Sequence, residues 1–505
     1  MADDYIKRIL ESRIYDLVVE TPVQPAPLIS KRLNNEVRIK REDLQPVFSF
    51  KLRGAYNKLL NLKPHQRKKG VICASAGNHA QGVALAAHHL GMRAVIVMPR
   101  TTPDIKVNAV RQRGGKAVLH GDSFDEALAH ANELMEKEGL TFIHPYDDKD
   151  VIAGQGTIGM EMLRQQSDKL DAVFIAVGGG GLAAGIATYI KYVRPEVKII
   201  AVEPDDAASL KAALEKGRRV SLPEVGLFAD GVAVKQTGKE PFRLLKGVVD
   251  ECITATTDEI CAAIKDTFED TRSVPEPAGA LSLAGLKNWV AKHGVSGQRL
   301  VAIQCGANVN FDRLRHISER AEVGEHREAV LAVTIPERPG SFKRFCRLLG
   351  KRSITEFNYR YSDDRNANIF VGVRINPEDG EPAPLIAQLR KEGYAVEDMT
   401  QNEMAKLHIR HMVGGHTSRP DLEEMLFRVE FPERPGALLN FLMSLGSDWN
   451  ISLFHYRNHG AAYGRVLVGF QVPRGGRTRL RKAVRQIPYP MVEESDNPAY
   501  HLFLD

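Results

Sequence analysis

Four consecutive glycines stand where a chain could hold a phosphate group. Gly178 to Gly181 follow the apolar run Ala172–Val177 and precede a helical pattern that begins at Leu182. Glycine lets the main chain approach a ligand closely, and the N–H groups and dipole of a helix N-terminus favour an anion. A tight strand–helix turn would also use glycine, but four in a row favour a phosphate-binding loop. The spacing is not that of the GxGxxG dinucleotide fingerprint.

A lysine upstream could supply a nucleophilic amine. Lys51 lies in the segment Ser49–Ala55 (SFKLRGA), near the start of a predicted helix. Desolvation and the positive end of a helix dipole would both lower the pKa of its amine, which suits a nucleophile. A lone lysine is more often an ordinary surface residue. The interpretation therefore depends on the motifs that accompany Lys51.

A polar turn offers the donors that a carboxylate needs. Ser75, Gly77 and Asn78 follow the apolar run Val71–Ala74 and precede another helical pattern. Their hydroxyl, amide and backbone N–H groups could capture an anion at a helix N-terminus. A capping turn without ligand is an equal alternative when this segment is considered alone.

These motifs must be positioned by alternating strands and helices. Apolar runs bounded by turn residues predict buried strands at Ala94–Met98, Lys116–Leu119, Ala172–Val177, Ile199–Val202 and Leu300–Ile303. Helical periodicity predicts helices at His79–Leu90, Ile105–Arg113, Ser123–Lys137, Leu182–Tyr192 and Thr257–Asp270. This alternation predicts an α/β fold with a mainly parallel sheet, in which ligands lie at the carboxyl ends of the strands.

The C-terminal part of the chain is duplicated. The sequence PERPG occurs at Pro336–Gly340 and again at Pro432–Gly436, an offset of 96 (432 − 336). ITEFNYR at Ile354–Arg360 matches ISLFHYR at Ile451–Arg457, an offset of 97 (451 − 354). Each unit reads strand–PERPG–helix–strand–strand–helix–strand, and such internal repeats identify paired modules. We predict a first domain at 1–320, a linker at 321–328, and modules at 329–415 and 424–505.

Composition sets the broad class. The chain has 505 residues, 43% of them hydrophobic and 26% charged, which is typical of a soluble globular protein with two or three domains. A net charge of +6 is weak over this length and does not indicate nucleic-acid binding. The five cysteines form no CxxC pair, and the segment MADDYIKRIL has no signal-peptide pattern. No stretch of the sequence approaches the apolar length of a membrane span. We therefore expect a cytoplasmic protein.

Taken together, the motifs resemble the fold-type II pyridoxal-phosphate enzymes, and within them the serine/threonine dehydratase family. The motifs that carry the resemblance are SFKLRGA, ASAGNHAQG, GGGGL, EPAGA (Glu276–Ala280) and CGANVN (Cys305–Asn310). The resemblance covers about residues 15–320. The duplicated C-terminal segments resemble ACT-like modules, which bind amino-acid effectors. Together these resemblances imply a fold-type II catalytic domain of parallel sheets flanked by helices, followed by two α+β modules.

The resemblance assigns roles to individual residues. Lys51 would hold pyridoxal 5'-phosphate covalently and later act as the general base at the substrate Cα. Asn78 would bind the cofactor's 3-hydroxyl, and Phe50 and Ala229 would pack on the two ring faces. The phosphate would be held by backbone N–H groups of Gly178, Gly179, Gly180, Gly181 and Leu182. The substrate carboxylate would be held by Ser75, Ala76, Gly77 and Asn78.

Cys305 would face the pyridine nitrogen. Many pyridoxal enzymes place an aspartate there and keep the ring protonated. A neutral thiol cannot do so, which makes the ring a weaker electron sink and suits elimination over transamination. Cys305 could also be a small buried hydrophobe, but the family resemblance outweighs that alternative.

The implied reaction is the conversion of L-threonine, or L-serine, to a 2-oxo acid and ammonia. For threonine the product is 2-oxobutanoate, and the reaction is the first step of isoleucine biosynthesis. The ACT-like modules imply isoleucine as inhibitor, valine as opposing effector, and a homotetramer. Effector contacts are predicted at Arg338, Gly340, Arg434 and Gly436, although the modules could serve oligomer packing alone.

Other assignments stay open at this point. A catabolic serine/threonine dehydratase, a serine racemase or a cysteine-synthase relative would share the catalytic motifs, but the duplicated tail argues against them. A regulator with an inactive core is an alternative of another class, which the intact Lys51, Asn78 and GGGGL oppose. Glu203, with Ala207 and Ser209, resembles a cation site of some relatives, but a solvated acid is as good an interpretation and no metal is predicted.

Overall fold

The computed structural model describes residues 2–325, 327–336, 344–345, 348–349, 352, 354–361, 366–376, 382–409, 422–432, 449–457 and 463–504. They form two compact units, Met1–Ala321 and Glu322–Asp505. In these ranges, no helix is both long enough and apolar enough to cross a membrane.

The first unit alternates helices and strands along its length. The helices are α1 (Ala2–Leu10), α2 (Pro27–Leu33), α3 (Lys51–Leu60), α4 (Pro64–Lys69), α5 (Asn78–His89), α6 (Asp104–Gln112), α7 (Phe124–Glu138), α8 (Lys149–Gln165), α9 (Gly181–Val193), α10 (Ser209–Lys216), α11 (Lys239–Leu245), α12 (Thr257–Thr271), α13 (Pro277–His293) and α14 (Arg313–Gly324). The strands are β1 (Val23–Pro25), β2 (Glu36–Arg41), β3 (Val71–Ala74), β4 (Ala94–Met98), β5 (Lys116–Leu119), β6 (Thr141–Phe142), β7 (Ala172–Ala176), β8 (Lys198–Pro204), β9 (Glu251–Ala255) and β10 (Arg299–Gln304).

These strands form two sheets. One has the order β1-β2-β10-β7-β8-β9 and is parallel except for the antiparallel edge strand β1. The other has the order β5-β4-β3-β6 and is parallel throughout. Strands β3, β4 and β7 are fully buried, as expected for parallel sheets covered by helices on both faces.

The α/β fold predicted from the sequence is confirmed. The five predicted strands coincide with β4, β5, β7, β8 and β10, and the five predicted helices with α5, α6, α7, α9 and α12, with ends that differ by up to two residues. The two longest of these helices are well delimited because Ser123 and Thr256 each form a capping box with a glutamate three residues later.

Helices α3 and α8 approach closely because each has a glycine at their crossing. A Cβ at Gly154 would lie 2.6 Å from the Arg53 carbonyl oxygen and 2.8 Å from the Cα of Gly54. Beside this crossing, the fully buried Arg53 guanidinium is bonded to Glu42 at 2.7 Å and to Glu161 at 2.6 Å. This arrangement anchors the helix that begins at Lys51.

The second unit contains two antiparallel sheets. Its elements are β11 (Glu328–Pro336), β12 (Ile354–Tyr361), β13 (Asn366–Arg374), α15 (Ala383–Lys391), β14 (Ala395–Asp398), α16 (Glu403–Leu407), β15 (Leu422–Pro432), β16 (Asn450–Arg457), β17 (Tyr463–Pro473), α17 (Arg477–Val484), β18 (Met491–Glu493) and α18 (Pro498–Phe503). The sheet orders are β12-β13-β11-β14 and β16-β17-β15-β18. The two orders are equivalent position by position, which confirms the duplication and the α+β character of the C-terminal region.

Two details differ from the repeat as predicted. Each module continues beyond its last strand into a short helix, α16 or α18, which the repeat pattern did not include. Both helices contribute to an apolar cluster shared by the two sheets.

The PERPG segments and the helices predicted after them lie largely outside the described residues. Within the predicted linker 321–328, residues up to Gly324 belong to α14, and β11 begins at Glu328. The predicted bounds of the catalytic domain and of the two modules remain predictions.

Candidate active site

The Lys51 amine lies in a partly buried polar position at the start of α3. Its Nζ donates a hydrogen bond to the Pro145 carbonyl oxygen at 3.0 Å and lies 5.2 Å from the centre of the Phe50 ring. Burial lowers the pKa of Lys51 to about 8, against the opposing influence of Cys305 and Glu276. A far larger fraction of the amine is therefore neutral near physiological pH than in an ordinary lysine.

The predicted glycine loop is a cradle shaped by close neighbours. Gly180 has φ +90°, and α9 begins at Gly181, so the N–H groups of its first turn have no acceptor within the helix. A Cβ at Gly178 would lie 2.8 Å from the Val232 Cα, and a Cβ at Gly179 would overlap the Tyr146 ring. Glycine is required here because the neighbouring main chain and ring occupy the space of a side chain.

A single irregular segment joins the glycine loop to the lysine. The Pro145 carbonyl accepts from Lys51, while the adjacent Tyr146 ring lies against Gly179. The backbone N–H groups of Tyr146 and Asp147 donate to the His144 ring at 3.2 and 2.8 Å, which holds the turn. The lysine and the glycine loop therefore share one structural support.

Asn78 lies at the first position of α5 with its amide bonded at both ends. Its Oδ1 accepts from Asn308 Nδ2 at 2.7 Å, and its Nδ2 donates to Glu276 Oε1 at 2.5 Å. Glu276 is buried, and burial together with the nearby Asp230 raises the pKa of its carboxyl to about 7. Glu276 is the first residue of the EPAGA motif that supports the resemblance, and the sequence alone indicates no role for it.

The predicted carboxylate-binding turn lies beside Asn78. Ser75, Ala76 and Gly77 are partly exposed, and the Ser75 hydroxyl accepts from the Gly77 N–H at 3.2 Å. The space where a Cβ at Gly77 would point is open to 4 Å. This turn therefore borders open space at the N-terminus of α5.

Cys305 and the predicted ring-packing residues converge on the same place. The Phe50 N–H donates to the Cys305 carbonyl at 3.2 Å, and the Cys305 thiol donates to the Ala278 carbonyl at 3.1 Å. Burial raises the pKa of Cys305, so it stays a neutral thiol. Ala229 is buried and precedes the short helix Asp230–Val232, whose last residue contacts Gly178.

The structure thus brings together the catalytic-domain residues predicted from the sequence. The predicted effector residues Arg338, Gly340, Arg434 and Gly436 lie outside the described residues, so those predictions stay untested. The functional residues that the sequence interpretation missed are Glu276, Asn308 and Tyr146. The first two stand within quoted motifs, but Tyr146 lies in a loop without a local signal.

The sequence is compatible with Glu203 as either a cation ligand or a solvated acid. The structure buries Glu203, which makes the solvated interpretation wrong. Its carboxylate accepts from the N–H groups of Leu210 and Lys211 at 2.7 and 2.8 Å and from the Cys252 thiol at 3.5 Å. Burial raises the pKa of Glu203 to about 7 despite these bonds.

Comparison with protein families matches both parts of the chain. The family described as "Pyridoxal-phosphate dependent enzyme" matches residues 14–306. The family described as "C-terminal regulatory domain of Threonine dehydratase" matches residues 319–409 and 417–504. The second match occurs twice and thus coincides with the internal duplication.

Individual relatives match along nearly the whole length. The chain is 56% identical to the L-threonine dehydratase biosynthetic IlvA of Burkholderia multivorans, over 99% of this chain and 99% of that protein. It is 54% identical to the L-threonine dehydratase biosynthetic IlvA of Escherichia coli, over 99% and 97% of the two chains.

Solved structures match somewhat less than two thirds of the chain. The processed form of threonine deaminase isoform 2 from Solanum lycopersicum is 50% identical with a TM-score of 0.62, covering 63% of this chain and 93% of that chain. A serine racemase from Dictyostelium discoideum has the same fold at 31% identity, with a TM-score of 0.57 over 61% and 99% of the two chains. By these matches, the chain belongs to the pyridoxal-phosphate dependent enzyme family and, within it, to the threonine dehydratases that carry a C-terminal regulatory domain.

Proposed function

We propose that this chain converts L-threonine to 2-oxobutanoate and ammonia, the first step of isoleucine biosynthesis, in the cytoplasm. The observation that carries the proposal is the partly buried Lys51 amine, which lies among Phe50, Cys305 and Glu276 and whose pKa is lowered to about 8. The names of the relatives support threonine as the substrate. A base of this kind, held in a partly buried polar site, is what proton abstraction from Cα requires.

The residues present fit pyridoxal phosphate. Gly178–Gly181 form a side-chain-free cradle that leads into Leu182 in the first turn of α9, which suits a phosphate dianion. Lys51 supplies the amine for covalent attachment, and the Cys305 thiol, which stays protonated, suits an unprotonated ring nitrogen. Asn78 offers an amide for the ring oxygen, with Phe50 and Ala229 as apolar neighbours.

When bound, pyridoxal phosphate supplies the electron sink that acidifies the Cα–H bond of the substrate. Lys51 takes up the Cα proton, and the turn Ser75–Asn78 orients the carboxylate through N–H and hydroxyl donors. The Cα–H and Cβ–O bonds break, so one water leaves. The resulting enamine takes up one water and yields the 2-oxo acid and ammonia, which balances the reaction.

The catalytic half is tested by 2-oxo acid formation from L-threonine and from L-serine by the purified protein. We expect turnover of threonine, a visible absorbance band of bound cofactor, and the loss of both in Lys51→Ala. Lys68→Ala, on the exposed surface of α4, is the matched control and should retain both. A colourless wild-type protein, or D-serine as the main product from L-serine, would overturn the proposal.

The regulatory half concerns the two C-terminal modules. We propose that they bind isoleucine as an inhibitor and valine as an opposing effector, with contacts from Arg338, Gly340, Arg434 and Gly436, and that the enzyme is a homotetramer. The support is the twofold match to a threonine dehydratase regulatory domain. Isoleucine should reduce 2-oxobutanoate formation at subsaturating threonine, and valine should reverse this, because two ligands that favour opposite states compete through one equilibrium. Insensitivity to isoleucine would reject this half alone, and light scattering tests the tetramer.

A further inference from the structure

The orientation of the Asn78 amide is determined by its two neighbours. Amide oxygen and nitrogen are nearly indistinguishable by shape, so their orientation follows from hydrogen-bond partners. Asn308 Nδ2 donates both to the Val47 carbonyl at 2.8 Å and to Asn78 at 2.7 Å. Both hydrogens of that nitrogen are committed, so Asn78 must present its oxygen to Asn308. Its N–H groups therefore point away from Asn308, and one of them donates to Glu276.

Glu276 is held rigidly as the acceptor of this bond. It precedes α13, and its backbone N–H donates to the Gly306 carbonyl at 3.1 Å. A Cβ at Gly306 would overlap the Glu276 carboxyl oxygen, and a Cβ at Gly279 would overlap the Gly306 carbonyl. These glycines allow the main chain to enclose the carboxyl. An enclosed carboxyl in this geometry has little freedom to follow Asn78 if the amide moves.

The charges around Glu276 come from several elements. Asp230, from the short helix after Ala229, raises the pKa of Glu276, whereas Lys106 from α6 and Arg313 from α14 lower it. Lys51 and Cys305 also interact electrostatically with Glu276. Lys106 and Arg313 lie 2.9 and 3.6 Å from Asp230 and hold its pKa at about 2. Near pH 7, Asp230 is therefore ionised and Cys305 is neutral. Glu276, with a pKa of about 7, is the group among these three that titrates in this range.

We propose that Glu276 is a positioning residue of this site, which acts through Asn78. Its carboxyl accepts a hydrogen bond from the Asn78 amide and thereby orients the amide N–H groups toward the ligand. When the carboxyl gains or loses a proton, the strength of this hydrogen bond changes. The ionised carboxyl forms a strong hydrogen bond with the Asn78 N–H, since charge-assisted hydrogen bonds are about twice as strong as neutral ones. The protonated carboxyl forms a weaker bond, so the Asn78 amide is freer to donate to the ring oxygen. This inference rests on the proposed function, because the ring oxygen belongs to the bound cofactor.

The test is a pH titration of the visible absorbance of the purified holoenzyme, without substrate. The wild type should show a spectral transition with a midpoint near neutral pH. Glu276→Gln preserves the shape and the acceptor oxygen but cannot titrate, so it should keep the absorbance band and lose that transition. Glu276→Ala removes the acceptor and should release cofactor about tenfold faster on dilution, the loss expected for one hydrogen bond to a charged group.

Two further variants make the result specific. Asn308→Ala removes the donor that orients Asn78, at a partly exposed position, and should also alter the spectrum even if the Glu276 variants fold poorly. Glu203→Gln is the matched control, because Glu203 is another buried carboxyl whose pKa is raised to about 7 but which bonds to the start of α10 and to Cys252. Its midpoint should equal that of the wild type.

The possible outcomes separate the two proposals. An unchanged transition in Glu276→Gln, or an equal loss in Glu203→Gln, would overturn the role of Glu276 while leaving the enzyme assignment intact. A wild-type protein that binds no pyridoxal phosphate would instead overturn the proposed function itself.

Discussion

Asn402 and Asn497 are hydrogen-bonded to each other through their side-chain amides, with 3.1 Å between Nδ2 of the first and Oδ1 of the second. Each also caps its own helix. Asn402 accepts from the Ala405 N–H at the start of α16, and Asn497 from the Ala499 N–H at the start of α18. The two residues are 95 positions apart, close to the repeat length, so equivalent residues of the two modules meet.

The bonds around this pair are equivalent as well. Thr400 accepts from the Val330 N–H at 3.1 Å, and Ser495 accepts from the Leu426 N–H at 3.0 Å. The same apolar cluster contains residues from both sheets and from both short helices, and the Phe370 ring of one module contacts the Phe503 ring of the other. The two modules therefore meet through equivalent residues and bury one common apolar cluster.

Asn402→Ala should destabilise both modules. The loss of a helix cap costs about 1 kcal/mol, about five-fold in an opening equilibrium. Because the modules share one cluster, we expect hydrogen exchange to become faster by about this factor in β15 as well as in β11. Asn497→Ala should have the equivalent effect, and Gln401→Ala, at the exposed neighbouring position, should have none. A response confined to β11 would show that the modules open independently.

The lowered pKa of Lys51 predicts the pH dependence of cofactor attachment. Burial disfavours the ammonium form, so the neutral amine predominates above about pH 8. With the ordinary lysine pKa of 10.5 it would predominate only above pH 10.5. Since only the neutral amine is a nucleophile, the rate at which the cofactor-free protein takes up pyridoxal phosphate should rise about tenfold per pH unit below 8 and level off above it. Stopped-flow absorbance measures this rate. A free alkylamine serves as the reference, and a rate for the protein that kept rising past pH 9, as the reference should, would contradict the lowered pKa.

The sequence predicts best what is local. Buried parallel strands appear as apolar runs, and the caps at Ser123 and Thr256 delimit their helices, so these elements are recovered with small errors. β2 was not predicted because its sequence EVRIKR looks solvent-facing, whereas Lys40 and Arg41 are buried. Such burial requires partners that are distant in sequence, and these cannot be identified from periodicity.

The same reason explains the site residues that were missed. Glu276 and Asn78 are 198 residues apart, and their bond depends on how α13 and α5 are placed in the fold. Tyr146 is defined by its contact with Gly179, not by any pattern around it. By contrast, Lys51 and the glycines could be predicted because a nucleophile near a helix start and a strand–glycine–helix turn are local features with a direct chemical meaning.

Arg53 is predicted to be essential for the stability of the first unit. Arg53, Lys40, Glu42 and Glu161 form a fully buried group with two positive and two negative charges. Arg53→Met leaves an excess buried negative charge and should lower the free energy of unfolding by about 3–5 kcal/mol. Adding Glu42→Gln restores neutrality and should recover part of the loss. Urea unfolding measures both, and a double variant no more stable than Arg53→Met would contradict the charge argument.

The same group predicts an acid sensitivity. Burial alone would raise the pKa of Glu42, but Arg53 and Lys40 more than reverse this, so the folded-state pKa is lowered. A lowered carboxyl pKa stabilises the fold above the unfolded value of about 4.3, and the stabilisation is lost as pH falls through the folded value. The urea midpoint of the wild type should therefore fall more steeply below about pH 4.3 than that of the double variant. Parallel curves would exclude Glu42 as a source of acid sensitivity.

Gly179→Ala should impair cofactor retention through Tyr146. The added methyl group would overlap the Tyr146 ring, and the preceding carbonyl, Pro145, is the acceptor of the Lys51 amine. Overpacking of this kind costs about 1–3 kcal/mol, so we expect cofactor to dissociate about tenfold faster or more, followed by the loss of visible absorbance on dilution. Tyr146→Ala in the same chain removes the overlap and should restore part of the retention. Gly247→Ala, where a Cβ would meet no atom within 4 Å, should leave it unchanged. If Tyr146→Ala gave no rescue, the methyl group at position 179 would act on the phosphate directly. The segment Pro145–Tyr146, which contacts both the glycine loop and Lys51, would then have no role in cofactor retention.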